Sequence, residues 1–294
     1  MMVNKEFNLF DKTCKGYDPL EAAKAAYQIM FYPKKRNKYY RTERDLINKT
    51  DKSMNFSVNN KEVTTYHWNQ TSNKKVLLVH GFGGRCLDFS GIINLLCNAD
   101  FHVIGFDAPA HGLSEGSNTD IGEFMECISQ ISLVNGGGFD LAITHSFGAG
   151  ALTYEMRNKS VQIKQLGLIA PNATFPPIIK GFLNVLNAEE DVYSLLSDLI
   201  VDRFKNRMNR DELWSACSPV ENISLMKHSG EVDLCIMHGK FDKMLPIDQS
   251  EYLLETCRSV DIRASLNIFD CGHYDILKNP NLYNVISKKM MKLK

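Results

Sequence analysis

Short uninterrupted apolar runs, each followed by a segment of helical spacing, recur through most of this 294-residue chain. Residues 76–80, 102–106, 141–144, 165–170, 233–237 and 264–269 have the length and apolar content of strands buried on both faces. Between them, 85–98 carries Leu87, Ile92, Leu95 and Leu96 at helical intervals, and 121–134 and 149–157 read the same way. A last helix is expected over 281–292. This alternation predicts an α/β protein with a mainly parallel central sheet covered by helices on both faces. In such sheets ligands bind beyond the carboxyl ends of the strands, so residues just after each strand are the ones to inspect.

Two regions break the alternation. Residues 53–69 alternate roughly every second position (Phe56, Val58, Val63, Thr65, Tyr66, Trp68) and predict an antiparallel hairpin turning at Asn59-Asn60. Residues 172–228 carry only helical patterning (Ile178, Phe182, Val185, Leu186, Val192, Leu195, Leu196, Leu199, Ile200) and read as a helical insertion. The expected division is an N-terminal helical and basic segment 1–52, a core 53–171 and 229–294, and a helical cap 172–228. Within the first segment, 21–30 is helix-like and 34–38 is a basic run, with Arg41 and Arg44 beyond it.

Lys+Arg and Asp+Glu both number 34, so no net charge steers the chain to nucleic acid or an anionic membrane. No apolar run approaches a membrane span, and the first residues lack the apolar stretch of a secretory signal. Eight cysteines are scattered without a C-x-x-C pair, and the histidine spacing offers no zinc set. Free thiols in a reducing, cytoplasmic compartment are expected, with no metal and no organic cofactor.

Chemistry concentrates at strand ends. Thr144-His145-Ser146-Phe147-Gly148 lies between an apolar run and a helix-like run. A serine on such a turn has its hydroxyl raised above the sheet edge, beside a helix N-terminus that favours negative charge. A serine nucleophile needs a base, a group that orients the base, and an oxyanion site. After strand 264–269 comes His273, the base candidate, and after strand 233–237 comes Asp242, the orienting acid. His80-Gly81-Phe82-Gly83-Gly84 follows strand 76–80, where glycines let backbone N–H groups turn inward. The oxyanion donors would be the Phe82 and Phe147 N–H groups.

These motifs, H-G-F-G-G (80–84), F-D-A-P-A-H-G-L-S (106–114), T-H-S-F-G-A-G (144–150), H-G-K-F-D (238–242) and G-H-Y (272–274), resemble the α/β-hydrolase superfamily in order and in position. The resemblance spans roughly residue 53 to the C-terminus. It implies that Ser146 attacks an acyl carbonyl, His273 takes its proton, Asp242 orients the imidazole, and the Phe82 loop supplies part of the oxyanion hole. A helical cap after the sixth strand is common in that family, and 172–228 falls there.

Thr144 departs from the resemblance by replacing the first glycine of the usual G-x-S-x-G elbow. His145, His80 and His111 are expected to be structural, and Asp107 to pin the turn 108–110 through its carboxylate. Asp270 and Asp248 rival Asp242, although Asp248 follows Pro246 at an expected helix start. Phe175, Phe182 and Trp214 are candidates to line an acyl pocket, against the plainer reading that they pack the cap. The basic run 34–38 would meet a phosphate of a carrier such as coenzyme A, or simply face solvent. The expected activity is cleavage of a carboxylic ester or thioester through an acyl-serine. The alternatives are acyl transfer or thioesterase action on a carrier-bound acyl group, or a non-catalytic ligand-binding protein. The expected partner is a small-molecule acyl substrate, without nucleic acid; the sequence leaves the oligomeric state open.

Overall fold

The structure is a computed structural model that describes residues 10, 16–36, 38–51, 55–226 and 232–291. The chain enters through helix α1 (Pro19–Phe31) and the short helix α2 (Arg41–Asn48). A hairpin follows, β1 (Phe56–Val58) and β2 (Lys61–Val63), turning where Asn59 and Asn60 both adopt positive φ. That is the backbone a two-residue hairpin loop needs, and asparagine tolerates it. The hairpin is shorter than the sequence pattern suggested. β3 (Thr65–Trp68) leaves it and runs antiparallel along the edge of the main sheet, and all four of its residues are buried rather than alternating. The expected positions 53 and 54 lie outside the described residues.

The main sheet adds β4 (Lys75–Val79), β5 (His102–Phe106), β6 (Gly138–His145), β7 (Gln162–Ile169), β8 (Asp233–Gly239) and β9 (Ala264–Phe269). Its spatial order is β3-β5-β4-β6-β7-β8-β9, parallel from β5 through β9. Side chains alternate between the faces, as the pleat requires. Leu77, Val79, Ile104, Ala142, Leu166, Leu168 and Ile236 enter one core cluster. Val76, Leu78, Val103, Leu141, Ile143, Ile169 and Met237 enter the other. Burying each large aliphatic side chain contributes about 1.5–3 kcal/mol, so the two clusters dominate the stability of the sheet.

Helices α4 (Ile121–Val134) and α5 (Gly148–Arg157) cover the first face with α10 (Asp248–Ser259). Helices α3 (Ser90–Asn98) and α11 (Pro280–Val285) cover the second. The C-terminal helix is shorter than expected: after Val285 it passes into a π-helical turn, Ile286–Met290.

Between β7 and β8 lie four helices, α6 (Pro176–Val185), α7 (Asp191–Phe204), α8 (Arg210–Ala216) and α9 (Pro219–Leu225). Helix α1 packs along α7, so the N-terminal segment and this insertion meet over the same end of the sheet. The insertion is also tied to α4 by ion pairs. Asp120, the N-cap of α4, accepts from Arg203 Nε at 3.1 Å and Arg207 Nη2 at 2.8 Å, both from the α7 region. Among the described residues no helix is long and apolar enough to cross a membrane.

Candidate active site

β6 ends at His145 and α5 begins at Gly148, leaving Ser146 to make the turn at φ +52°. A non-glycine residue there costs about 1–3 kcal/mol, so the surroundings must hold it. The Ser146 N–H donates to the Ile169 carbonyl at 2.9 Å, and the Ser146 carbonyl accepts from the Ala149 N–H at 2.9 Å. Thr144 is accommodated because the next glycine stays bare. A Cβ at Gly148 would lie 2.6 Å from Thr144 Oγ1 and 2.8 Å from the His80 carbonyl oxygen. The threonine is fully buried, and its hydroxyl has no hydrogen-bond partner among the described residues.

His273, four residues past the end of β9, reaches back over the sheet. Its Nε2 lies 3.0 Å from Ser146 Oγ, and its Nδ1 lies 2.6 Å from Asp242 Oδ2. A carboxylate can only accept, so the Nδ1–H donates to Asp242 and Nε2 is left to accept the serine proton. The Asp242 carboxylate is fully buried, and its Oδ1 accepts from the Met244 N–H at 2.8 Å and the Leu245 N–H at 2.9 Å. Burial alone would raise its pKa. Hydrogen bonds from His238 and His273 and the Leu245 N–H outweigh that and hold it well below the usual carboxylate range. Neither rival acid joins the group: Asp248 opens α10, and Asp270 is exposed.

The loop after β4 lies against the turn. A Cβ at Gly81 would stand 3.0 Å from the His145 carbonyl oxygen and 3.1 Å from the Ser146 Cβ, so a side chain there would press the loop and the turn apart by a few tenths of an ångström. Among the described residues, neither the Phe82 nor the Phe147 N–H makes a hydrogen bond. Phe147 is also the N-cap of α5, where backbone N–H groups and the helix dipole favour an anion.

The remaining histidines shape these loops. His80 Nε2 accepts from the Ala108 N–H at 2.9 Å, and its Nδ1–H donates to the Gly81 carbonyl at 2.7 Å. His111 Nε2 accepts from the Gly83 N–H at 2.9 Å. His145 Nε2 donates to the His273 carbonyl at 3.0 Å, and burial pushes its pKa down to about 3. Burial likewise lowers His80 and His111, so all three are neutral. Asp107 ties more distant parts together than its expected turn. Its carboxylate accepts from Tyr66 Oη at 2.6 Å, the Cys86 N–H at 2.8 Å and the Leu113 N–H at 2.9 Å, and it does not bond the 108–110 turn.

Ser146 and His273 open into a cavity of about 620 Å³. Its walls are largely apolar. Phe175, Ile178, Phe182, Val185, Ile200 and Phe204 come from the insertion between β7 and β8, and Phe82 and Phe147 from the loops beside the serine. Trp214 does not line it. Its ring stands edge-on behind Phe175, 4.9 Å between centroids, with Arg210 over it. The N-terminal segment also contributes a wall: Lys34, Lys35 and Arg36 of the basic run line the cavity, together with Ile29, Met30, Phe31 and Pro33, which the sequence reading did not place at the site. The signal was present as a helix-like run leading directly into a basic one. Asn37, within that run, lies outside the described residues. Among the described residues no cluster of histidine, cysteine and carboxylates could hold a metal ion, and the described cysteines are free.

The model of the Alpha/beta hydrolase family matches residues 76–227. No curated protein sequence matches the chain. Among solved structures, the Pyrococcus furiosus esterase Pf2001 is similar over 90% of this chain and 97% of its own, at 16% identity and a TM-score of 0.64. A thioesterase domain from the curacin biosynthetic pathway is similar over 81% of this chain and 99% of its own, at 15% identity and a TM-score of 0.56. The serine hydrolase CCSP0084 of Cycloclasticus zankles is similar over 81% and 96%, at 16% identity and a TM-score of 0.58. At these identities the likeness speaks to the fold.

Proposed function

The chain belongs to the alpha/beta hydrolase family, and on that premise we propose that it is a serine hydrolase cleaving a carboxylic ester or thioester with an apolar acyl chain. The observation that carries this reading is the continuous line from Asp242 through His273 to Ser146, at 2.6 and 3.0 Å, ending in an apolar cavity.

In the proposed mechanism, Ser146 Oγ attacks the acyl carbonyl while its proton passes to His273 Nε2. The carbonyl oxygen gains the negative charge and meets the Phe82 and Phe147 N–H groups, which have no other acceptor among the described residues. Asp242 stays ionised and stabilises the imidazolium. The carbon–oxygen or carbon–sulfur bond then breaks, and His273 returns its proton to the leaving alcohol or thiol. Water attacks acyl-Ser146 by the same route in reverse, giving the free acid and restoring the serine. Water must lose its proton to His273 in that step, so a neutral imidazole is needed in both halves.

The apolar cavity sets the acyl preference. Each added methylene that moves from water into such a wall gains about 0.8 kcal/mol, so kcat/KM should rise about fourfold per methylene until the cavity is full. Nitrophenyl esters from acetate to palmitate test this. A rise to a maximum followed by a plateau or fall supports the reading. A flat profile, or a preference for acetate, contradicts it.

A further inference from the structure

Resting on the acyl-serine reading, we propose that the basic segment 34–36 forms an anion subsite at the mouth of the cavity, and that it selects substrates whose leaving group carries a phosphate. Lys34, Lys35 and Arg36 line the same cavity as Ser146 and His273. The segment is fastened to the loop beside the serine by a buried cation. Arg85, only 2% exposed, directly follows the glycines of that loop. It donates to the Arg36 carbonyl at 3.0 Å and the Lys38 carbonyl at 3.1 Å, and pairs with both carboxylate oxygens of Glu43 at 2.9 and 3.0 Å. Its guanidinium also lies over the Tyr39 ring, 4.2 Å from the centroid. A buried arginine spending two donors on backbone carbonyls fixes where the neighbouring side chains start.

The charges on this fixed backbone are unevenly balanced. Arg36 pairs with Asp88. Lys35 donates to the Ser114 carbonyl, a neutral group, and so keeps its full charge. Lys34 is exposed and has no hydrogen bond or ion pair among the described residues. The carboxylate of Asp120, the one acidic residue among the described residues lining the cavity, is already shared by Arg203 and Arg207. Lys34 therefore brings an unpaired charge, and Lys35 a charge held beside it, to the lining of a cavity that is otherwise largely apolar.

That polarity fits a two-part ligand. The acyl chain takes the wall of Phe175, Phe182 and Phe204, and the anion lies on the other side of the reacting carbonyl, in the leaving group. Two lysine charges suit the doubled charge of a phosphate monoester better than a single carboxylate. A coenzyme A thioester and a lysophosphatidate ester share this chemistry.

Matched substrates of one chain length separate the sources. Octanoyl-coenzyme A is compared with the neutral octanoyl thioester of N-acetylcysteamine, and octanoyl lysophosphatidate with octanoylglycerol, each in wild type and Lys34→Glu. The wild type should favour at least one phosphate-bearing substrate over its neutral match by about tenfold or more in kcat/KM, mainly through KM. Added salt should shrink that ratio, and Lys34→Glu should lower it by at least another factor of about ten. Preference for the coenzyme A pair alone identifies a carrier thioester, and preference for the lipid pair alone a lipid headgroup. Binding of the same four compounds to Ser146→Ala gives a readout independent of chemistry. Selective binding of the phosphate-bearing compounds without hydrolysis would keep the subsite and reject the acyl-serine reading. Hydrolysis of neutral substrates with no anion preference would do the reverse, as would equal effects of Lys34→Glu on both members of each pair.

Discussion

Replacing Asp242 by asparagine should disable the site through the imidazole tautomer, and the hydrogen bonds determine which way the new amide sits. Asp242 Oδ1 accepts two backbone N–H groups, from Met244 at 2.8 Å and Leu245 at 2.9 Å. An asparagine must keep its oxygen there, because turning the NH₂ toward two buried donors would leave both unsatisfied, at about 1–3 kcal/mol each. The NH₂ therefore takes the Oδ2 position, 2.6 Å from His273 Nδ1. Two donors cannot face each other, so the imidazole proton moves to Nε2. Nε2–H then points at Ser146 and can no longer accept its proton. The loss expected from a base in the wrong tautomer is on the order of 10⁴ in kcat, about 5.5 kcal/mol of barrier. The assay is steady-state hydrolysis of the best nitrophenyl ester, with circular dichroism and Tm confirming a folded variant. Asp270→Asn is the comparison, since that carboxylate is exposed and makes no bond to His273. It should change turnover by less than about threefold, as expected for a surface substitution. A folded Asp242→Asn enzyme within tenfold of wild type, or an Asp270→Asn enzyme that loses the activity, would refute the tautomer argument.

Two further outcomes concern protons. Neither Asp242, held ionised well below the carboxylate range, nor His145, at about 3, should add a proton step to the acid limb of kcat/KM. A limb of slope two, measured on a neutral ester across the pH range where the protein stays folded, would contradict this. Stability should fall in acid partly through Asp120. Burial alone would raise its pKa, but Arg207 and Arg203 more than offset this, so the folded pKa lies below the unfolded one. The stabilisation is then complete above about pH 4 and is lost as pH falls through the folded value. Asp120→Asn should lose about 1–3 kcal/mol at neutral pH, less than a fully buried pair because Arg207 is 42% exposed. Its urea midpoint should also vary less than wild type between neutral and acid pH, and an unchanged acid slope would exclude Asp120 as a contributor.

The strands and the triad candidates were legible because each depends on local pattern. Val76, Leu77 and Leu78 leave no polar position for solvent, and the run belongs to β4 in the interior of the sheet. Ser146, Asp242 and His273 each follow such a run, and a parallel sheet brings strand ends to one edge whatever their distance in sequence. The edge pairing of Thr65–Trp68 was not legible, because local alternation does not say which partner a strand takes. Which of its two readings holds for Trp214 was not legible either: it packs edge-on against Phe175 and does not line the cavity. The contribution of residues 29–36 was hidden most deeply. It depends on Arg85, far along the chain, reaching the Arg36 and Lys38 carbonyls, and no period in the sequence encodes that contact.

The most direct test of the acyl-serine reading is fluorophosphonate labelling of the purified protein, wild type beside Ser146→Ala, with the modified peptide mapped by mass spectrometry. The φ +52° turn, the His273 contact at 3.0 Å and the two free N–H groups predict rapid, stoichiometric phosphonylation at Ser146 that is absent from the variant. A well-folded wild type that takes no label, or a label that persists at another residue in Ser146→Ala, would contradict the assignment of Ser146 as nucleophile.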